Sequence, residues 1–108
     1  MTVSDNPGIY LIVNFDWPKP FKPEFGQFAQ ELHDAVQSQD WISEALSASG
    51  GLGGAQSSVW IFWLENYAAL DRLFSAQEDP VCAAYRSFFM SMDNVEDKVR
   101  QEIRFRQG

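Results

Sequence analysis

Val59-Trp60-Ile61-Phe62-Trp63-Leu64 is an unbroken apolar run with two Trp, closed off by Glu65-Asn66. It is too short to cross a membrane and too uniformly apolar for a strand with one wet face. It therefore reads as a strand covered on both sides. A second run of the same kind, Ile9-Tyr10-Leu11-Ile12-Val13-Asn14-Phe15, lies near the start. Between and after these runs the chain carries helical patterns and two weaker strand candidates.

The first strand is expected from Gly8 to Asp16, stopped by Trp17-Pro18-Lys19-Pro20, because proline has no N–H for the ladder. From Glu24 onward Phe25, Phe28, Ala29, Leu32, Ala35 and Val36 recur at three- and four-residue spacing, the apolar stripe of a helix that should end near Gln39. Pro23 suits its first turn. Trp41 to Ser49 alternates in a way that fits an edge strand, with a helix as the other reading; we take it as a strand. The glycines of Gly50-Gly51-Leu52-Gly53-Gly54 then let it fold back as a hairpin onto Ser57 to Glu65. A phosphate-binding loop is the less favoured reading of those glycines, because a strand pattern follows them rather than a helix start.

Asn66 is placed to cap a helix carrying Tyr67, Leu70, Leu73 and Phe74, and Asp79-Pro80 to start another carrying Val81, Tyr85, Phe88, Phe89 and Met92. Val99 to Phe105 is expected to close the chain as a strand. Lys98, Arg100, Arg104 and Arg106 around it read as the solvent face of an edge strand rather than an anion site.

At 108 residues the chain fits a single domain, 1–108, with the polar Met1–Pro7 segment expected as a frayed terminus rather than a targeting signal. A formal charge of −7 disfavours nucleic acid and anionic membranes as partners. Aromatic residues reach 15%, so many rings must be hidden. The single cysteine, Cys82, excludes an internal disulfide and any multi-cysteine metal cage, and suits a reducing, cytoplasmic compartment.

The order strand, helix, strand, strand, helix in two pieces, strand is that of an α+β, ferredoxin-like split βαββαβ unit with a four-stranded antiparallel sheet. There the first and third strands are central, which is where the two apolar runs fall. Helices cover only one sheet face, yet both faces of the central strands look apolar. A second copy packed sheet on sheet is the simplest cover, so a homodimer is expected.

In this order of elements the chain resembles the dimeric α+β barrel superfamily, which includes antibiotic-biosynthesis monooxygenase-like and stress-responsive barrel-like proteins. The resemblance rests on Ser58-Val59-Trp60-Ile61-Phe62-Trp63-Leu64-Glu65-Asn66-Tyr67-Ala68-Ala69-Leu70, similar to a third strand running into a capped helix, and on Asp79-Pro80 with Tyr85 and Phe88. It implies a cleft for a small apolar or aromatic molecule and chemistry without a cofactor, monooxygenase- or cyclase-like. Oxygenases of this fold use a polar residue of the first strand, often Asn, and a Trp of the third, for which Asn14 and Trp60 or Trp63 could stand. The heme-degrading members add a His on the next helix, and Tyr67 to Ala76 has none. The alternative is a dimeric structural or binding module whose aromatics are core.

The ligand-binding candidates are thus Tyr10, Ile12, Asn14, Trp60, Phe62, Trp63 and Tyr85. Asn14 is an amide inside an apolar strand; it is either satisfied structurally or aimed at a ligand, since an unmet amide costs about 1–3 kcal/mol. Trp60 and Trp63 have opposite parity, so one should pack on the helices and the other face the partner sheet or a cavity. His33, the only histidine, lies off the apolar stripe of its helix and reads as a flank residue before a general base. Asp16 and Glu65 at strand ends read as solvated caps. With one His and one Cys, no metal site is expected.

Overall fold

The two apolar runs become neighbouring central strands. In a computed structural model that describes residues 7–54 and 56–105, the elements are β1 (Ile9–Asp16), α1 (Pro23–Gln37), β2 (Ile42–Ser49), β3 (Ser58–Leu64), α2 (Tyr67–Ser75), α3 (Pro80–Phe89) and β4 (Asp93–Gln101). Arg106 and the N-terminal segment before Pro7 lie outside the described residues. The strands form one antiparallel sheet in the order β2-β3-β1-β4.

Strand alternation divides the sheet. Ile9, Leu11, Val13 and Phe15 of β1 and Ser58, Trp60, Phe62 and Leu64 of β3 are buried beneath the helices. Their neighbours Tyr10, Ile12, Asn14, Val59, Ile61 and Trp63 point to the opposite face and are only half-buried. The helices supply Leu32, Val36, Leu73, Val81, Phe88 and Phe89 to the core. Phe88 sits at its middle, edge-on to Phe15 and Trp60 with ring centroids 5.3 Å from each. Burying such rings is the main driving force of the fold.

Local chemistry sets the helix starts. The Asn66 side-chain oxygen accepts from the Ala69 N–H at 3.0 Å, and Asp79 accepts from the Val81 N–H at 2.9 Å. Asp79 also pairs with Arg72 at 2.7 Å, which ties the end of α2 to the start of α3. Pro23 and Pro80 stand in the first turns of α1 and α3.

β2 is a strand, held by its ladder to β3 with one bulge between Ile42 and Glu44. The hairpin closes through Gly50 N–H donating to Ser57 O at 2.9 Å. Gly50 and Gly51 have φ of 80° and 84°, which only glycine adopts without strain.

β4 departs from the expectation of a strand over 99–105. It runs from Asp93 to Gln101, six residues earlier at its start. It ends there because β1 begins at Ile9, the partner of Gln101, and a last bond from Glu102 N–H to Gly8 O follows at 2.9 Å. Of its residues only Val99 is even half-buried, so no apolar alternation marks it. Backbone pairing with β1 holds it. Ile103, Arg104 and Phe105 lie beyond the strand.

Gly8 leads into β1 in a tight space: a Cβ there would stand 2.6 Å from Leu64 O and 2.6 Å from the Trp63 indole nitrogen. Gly8→Ala is expected to cost about 1–3 kcal/mol of stability, as overpacking does. Chemical denaturation reads this directly; an unchanged midpoint would show that Gly8 can shift freely.

Candidate functional site

The sheet separates the candidate ligand residues into two groups. Trp60, Phe62 and Tyr85 lie on the helix side and pack together: Trp60 stacks on Phe62 at 5.9 Å with planes 2° apart, and Phe62 meets Tyr85 at 5.8 Å. Tyr10, Ile12, Asn14 and Trp63 lie on the other side, where Tyr10 stacks on Trp63 at 6.1 Å. The seven therefore do not converge on one place. Burial, with a smaller contribution from Asp97, pushes the Tyr85 phenol well above its ordinary value, so it stays protonated in the neutral range.

A cleft of roughly 470 Å³ opens between α1 and the β2–β3 end of the sheet. Half-buried Trp17 lines it beside Phe15 and Trp60, whose rings are buried in the core. Gly26, Ala29, Gln30 and His33 come from α1, and Ser47 and Ser49 from β2. The α1 residues recur at i, i+3, i+4 and i+7, a face of the helix that shares Ala29 with its core stripe. Gly26 leaves real space: a Cβ there would meet only the Phe21 ring, at 3.8 Å. Gln30 donates to Asp34 at 2.9 Å, and the Ser49 and Ser58 hydroxyls are 2.7 Å apart. No Lys, Arg, Asp or Glu lines this cleft. Its lining mixes aromatic and small apolar residues with neutral hydrogen-bonding groups and one imidazole at an exposed position.

Of the candidates named from sequence, only Trp60 lines the cleft. His33, read as a flank residue, stands on its α1 side. Trp17, Gln30, Ser47 and Ser49 were missed. The spacing of Gly26, Ala29, Gln30 and His33 was the available signal, hidden because that face mixes small apolar residues with polar ones and so draws no apolar stripe.

A second, polar hollow of roughly 500 Å³ lies at the C-terminal end of β1, between Asp16, Lys19, Ser57, Asp93 and Asn94. The Asp16 carboxylate accepts from Asn94 Nδ2 and from the Ser57 N–H, both at 3.0 Å. These bonds, Asn94's first, hold its carboxyl below the usual carboxylate range. Asp16 thus clamps three strand ends. Glu102 does similar work at the opposite end, accepting from Gly8 N–H at 2.9 Å and from Arg104 at 3.0 Å, which lowers its carboxyl as well. Among the described residues no group of three or more His, Cys, Asp or Glu is placed to hold a metal ion.

The helix-free face of the sheet is a further feature. Its rows read, from β2 to β4, Glu44–Trp63–Tyr10–Arg100, Leu46–Ile61–Ile12–Lys98 and Ala48–Val59–Asn14–Glu96. The middle of this face is apolar, and Leu46 is 58% exposed.

The fold is the ferredoxin-like α+β fold. Similar solved structures include a hydroxynitrile lyase from Passiflora edulis, 11% identical, with a TM-score of 0.72 over 93% of this chain and 97% of that one. A dimeric ferredoxin-like protein of unknown function from Thermobifida fusca is 14% identical, with a TM-score of 0.68 over 94% of this chain and 95% of that one. A NipSnap family protein of unknown function from Agrobacterium tumefaciens is 14% identical, with a TM-score of 0.65 over 98% and 97%. At such identities the likeness shows the architecture alone. No protein-family model matches the sequence, and no curated protein sequence matches it.

Proposed function

We propose that the protein is a homodimer, its two sheets packed face to face, and that each protomer binds a small uncharged aromatic molecule in the cleft beneath α1. The dimer is supported by the apolar helix-free face and by the dimeric description of proteins sharing the fold. Covering that face gains about 2.5 kcal/mol for each 100 Å² of apolar surface removed from water. The lone thiol of Cys82, buried in the core, suits a cytoplasmic setting.

The single observation that carries the ligand class is the make-up of the lining. Half-buried Trp17, with the little of Phe15 and Trp60 that is exposed, offers apolar surface, while no full charge stands ready to neutralise a phosphate, carboxylate or ammonium. Gln30, His33 and Ser47 offer hydrogen bonds to a hydroxyl or carbonyl. If the cleft catalyses the monooxygenase- or cyclase-like chemistry that the family resemblance implies, His33 is the acid–base group on its wall. A hydroxynitrile lyase shares the fold, so enzymes occur on it. Tyr10, Asn14 and Trp63 would touch a ligand only within the dimer interior, on the far side of the sheet.

A second reading, a binding or assembly module without catalysis, draws on the core role of Trp60, Phe62 and Tyr85, which are 5%, 0% and 7% exposed. Titration with 2-naphthol and with 2-naphthoate, followed by the indole N–H NMR signals of Trp17 and Trp60, tests the ligand proposal. Saturable shifts with 2-naphthol are expected, with a markedly weaker response to the anion. Gly26→Leu, which fills the cleft where the fold has room, should abolish them. Unmoved indole signals at millimolar 2-naphthol would refute ligand binding in this cleft.

A further inference from the structure

We infer that the two-fold axis of the homodimer runs parallel to the strands, setting the acidic edge of one open face against the basic edge of the other, Glu44 against Arg100 of the second copy. This rests on the homodimer proposed above. It goes further by fixing which edges meet.

Two sheets packed face to face with their strands aligned, through a two-fold axis lying between them, have two simple arrangements. An axis along the strands exchanges left and right, so β2 of each copy lies over β4 of the other and every row keeps its level. An axis across the strands inverts the rows, so β4 lies over β4. The register gives the consequences of each.

With the axis along the strands, Trp63 falls over Tyr10 of the second copy, Ile61 over Ile12 and Val59 over Asn14. At the margins Glu44 meets Arg100, twice by symmetry, and the exposed Leu46 meets the aliphatic stem of Lys98. No like charges face one another. Arg100 uses one guanidinium N–H on Val99 O at 2.9 Å, which leaves further donors for a carboxylate.

With the axis across the strands, Arg100 would reach Glu96, but Lys98 would lie over its own copy and Glu44 over Ala48. Trp63 would lie over Val59 rather than an aromatic ring. Like charges at an interface disfavour an arrangement more than a rim pair favours it, so charge selects the first axis.

The test uses Glu44→Arg and Arg100→Glu, both exposed positions on edge strands, with sedimentation of each variant alone and of an equimolar mixture. Each variant alone should dimerise at least about 10-fold more weakly than the wild type, because both contacts become like-charged. The mixture should recover wild-type affinity as a heterodimer, because both contacts are then Arg against Glu. A net-charge effect alone predicts the opposite for Glu44→Arg, which lowers the repulsion of an acidic chain. A tight wild-type dimer with Glu44→Arg unimpaired, or a mixture no tighter than the separate variants, would overturn the axis assignment and leave the dimer standing. A monomeric wild type would overturn both.

Discussion

Phe62→Ala is expected to lower the unfolding free energy by about 3–5 kcal/mol, the usual cost of emptying a large aromatic site in a core. Phe62 is fully buried on a central strand, stacked on Trp60 and edge-on to Tyr85. Its neighbours are themselves held: Trp60 by Phe88 at 5.3 Å and Tyr85 by Phe89 at 4.7 Å. They cannot collapse into the vacated space without breaking further ring contacts. For a domain whose whole stability is about 5–15 kcal/mol, this brings the chain close to unfolding. Guanidinium unfolding followed by circular dichroism measures it, and a loss under about 1 kcal/mol would contradict the tight ring packing described.

Ile61→Asp is expected to do the reverse, sparing the protomer and breaking the proposed homodimer. Ile61 sits on β3 at the centre of the open face, between Ile12 and Leu46. In a lone protomer the new carboxylate can reach water, because that face carries no helix. In the dimer it would be buried against Ile12 of the second copy, with its symmetry mate doing the same. An uncompensated buried charge costs about 3–5 kcal/mol, so two should raise the dimer dissociation constant by more than about 1000-fold. Sedimentation velocity would show a monomer while the circular dichroism spectrum stays native. A variant that still dimerises like the wild type would place the interface elsewhere.

Much of this architecture was legible because a few residue types act through simple physics. The runs at Ile9–Phe15 and Val59–Leu64 are central strands, and Asn66 and Asp79 cap the helices their positions suggested. The glycines favoured a β2–β3 hairpin where the alternation of Trp41–Ser49 left a helix open. β4 was misplaced because Asp93-Asn94-Val95-Glu96-Asp97-Lys98 buries nothing; its pairing with β1 is a backbone affair that side-chain pattern does not encode.

The site was less legible, for two reasons. Both faces of the central strands are apolar, so parity told Trp60 from Trp63 without telling which face the helices would take. Hence residues from opposite faces were grouped together. The cleft, moreover, joins Trp17, α1 and Ser47, segments far apart in sequence, and its α1 wall of Gly26, Ala29, Gln30 and His33 mixes small and polar residues, so it draws no stripe.

The face of the sheet without helices is where the fold meets the proposed homodimer, in which that face sets the geometry of the pair. Sedimentation equilibrium of the purified wild-type chain at micromolar concentration addresses it most directly. A particle of twice the 12.3 kDa chain mass is the predicted result. A folded particle of 12.3 kDa at that concentration would contradict it.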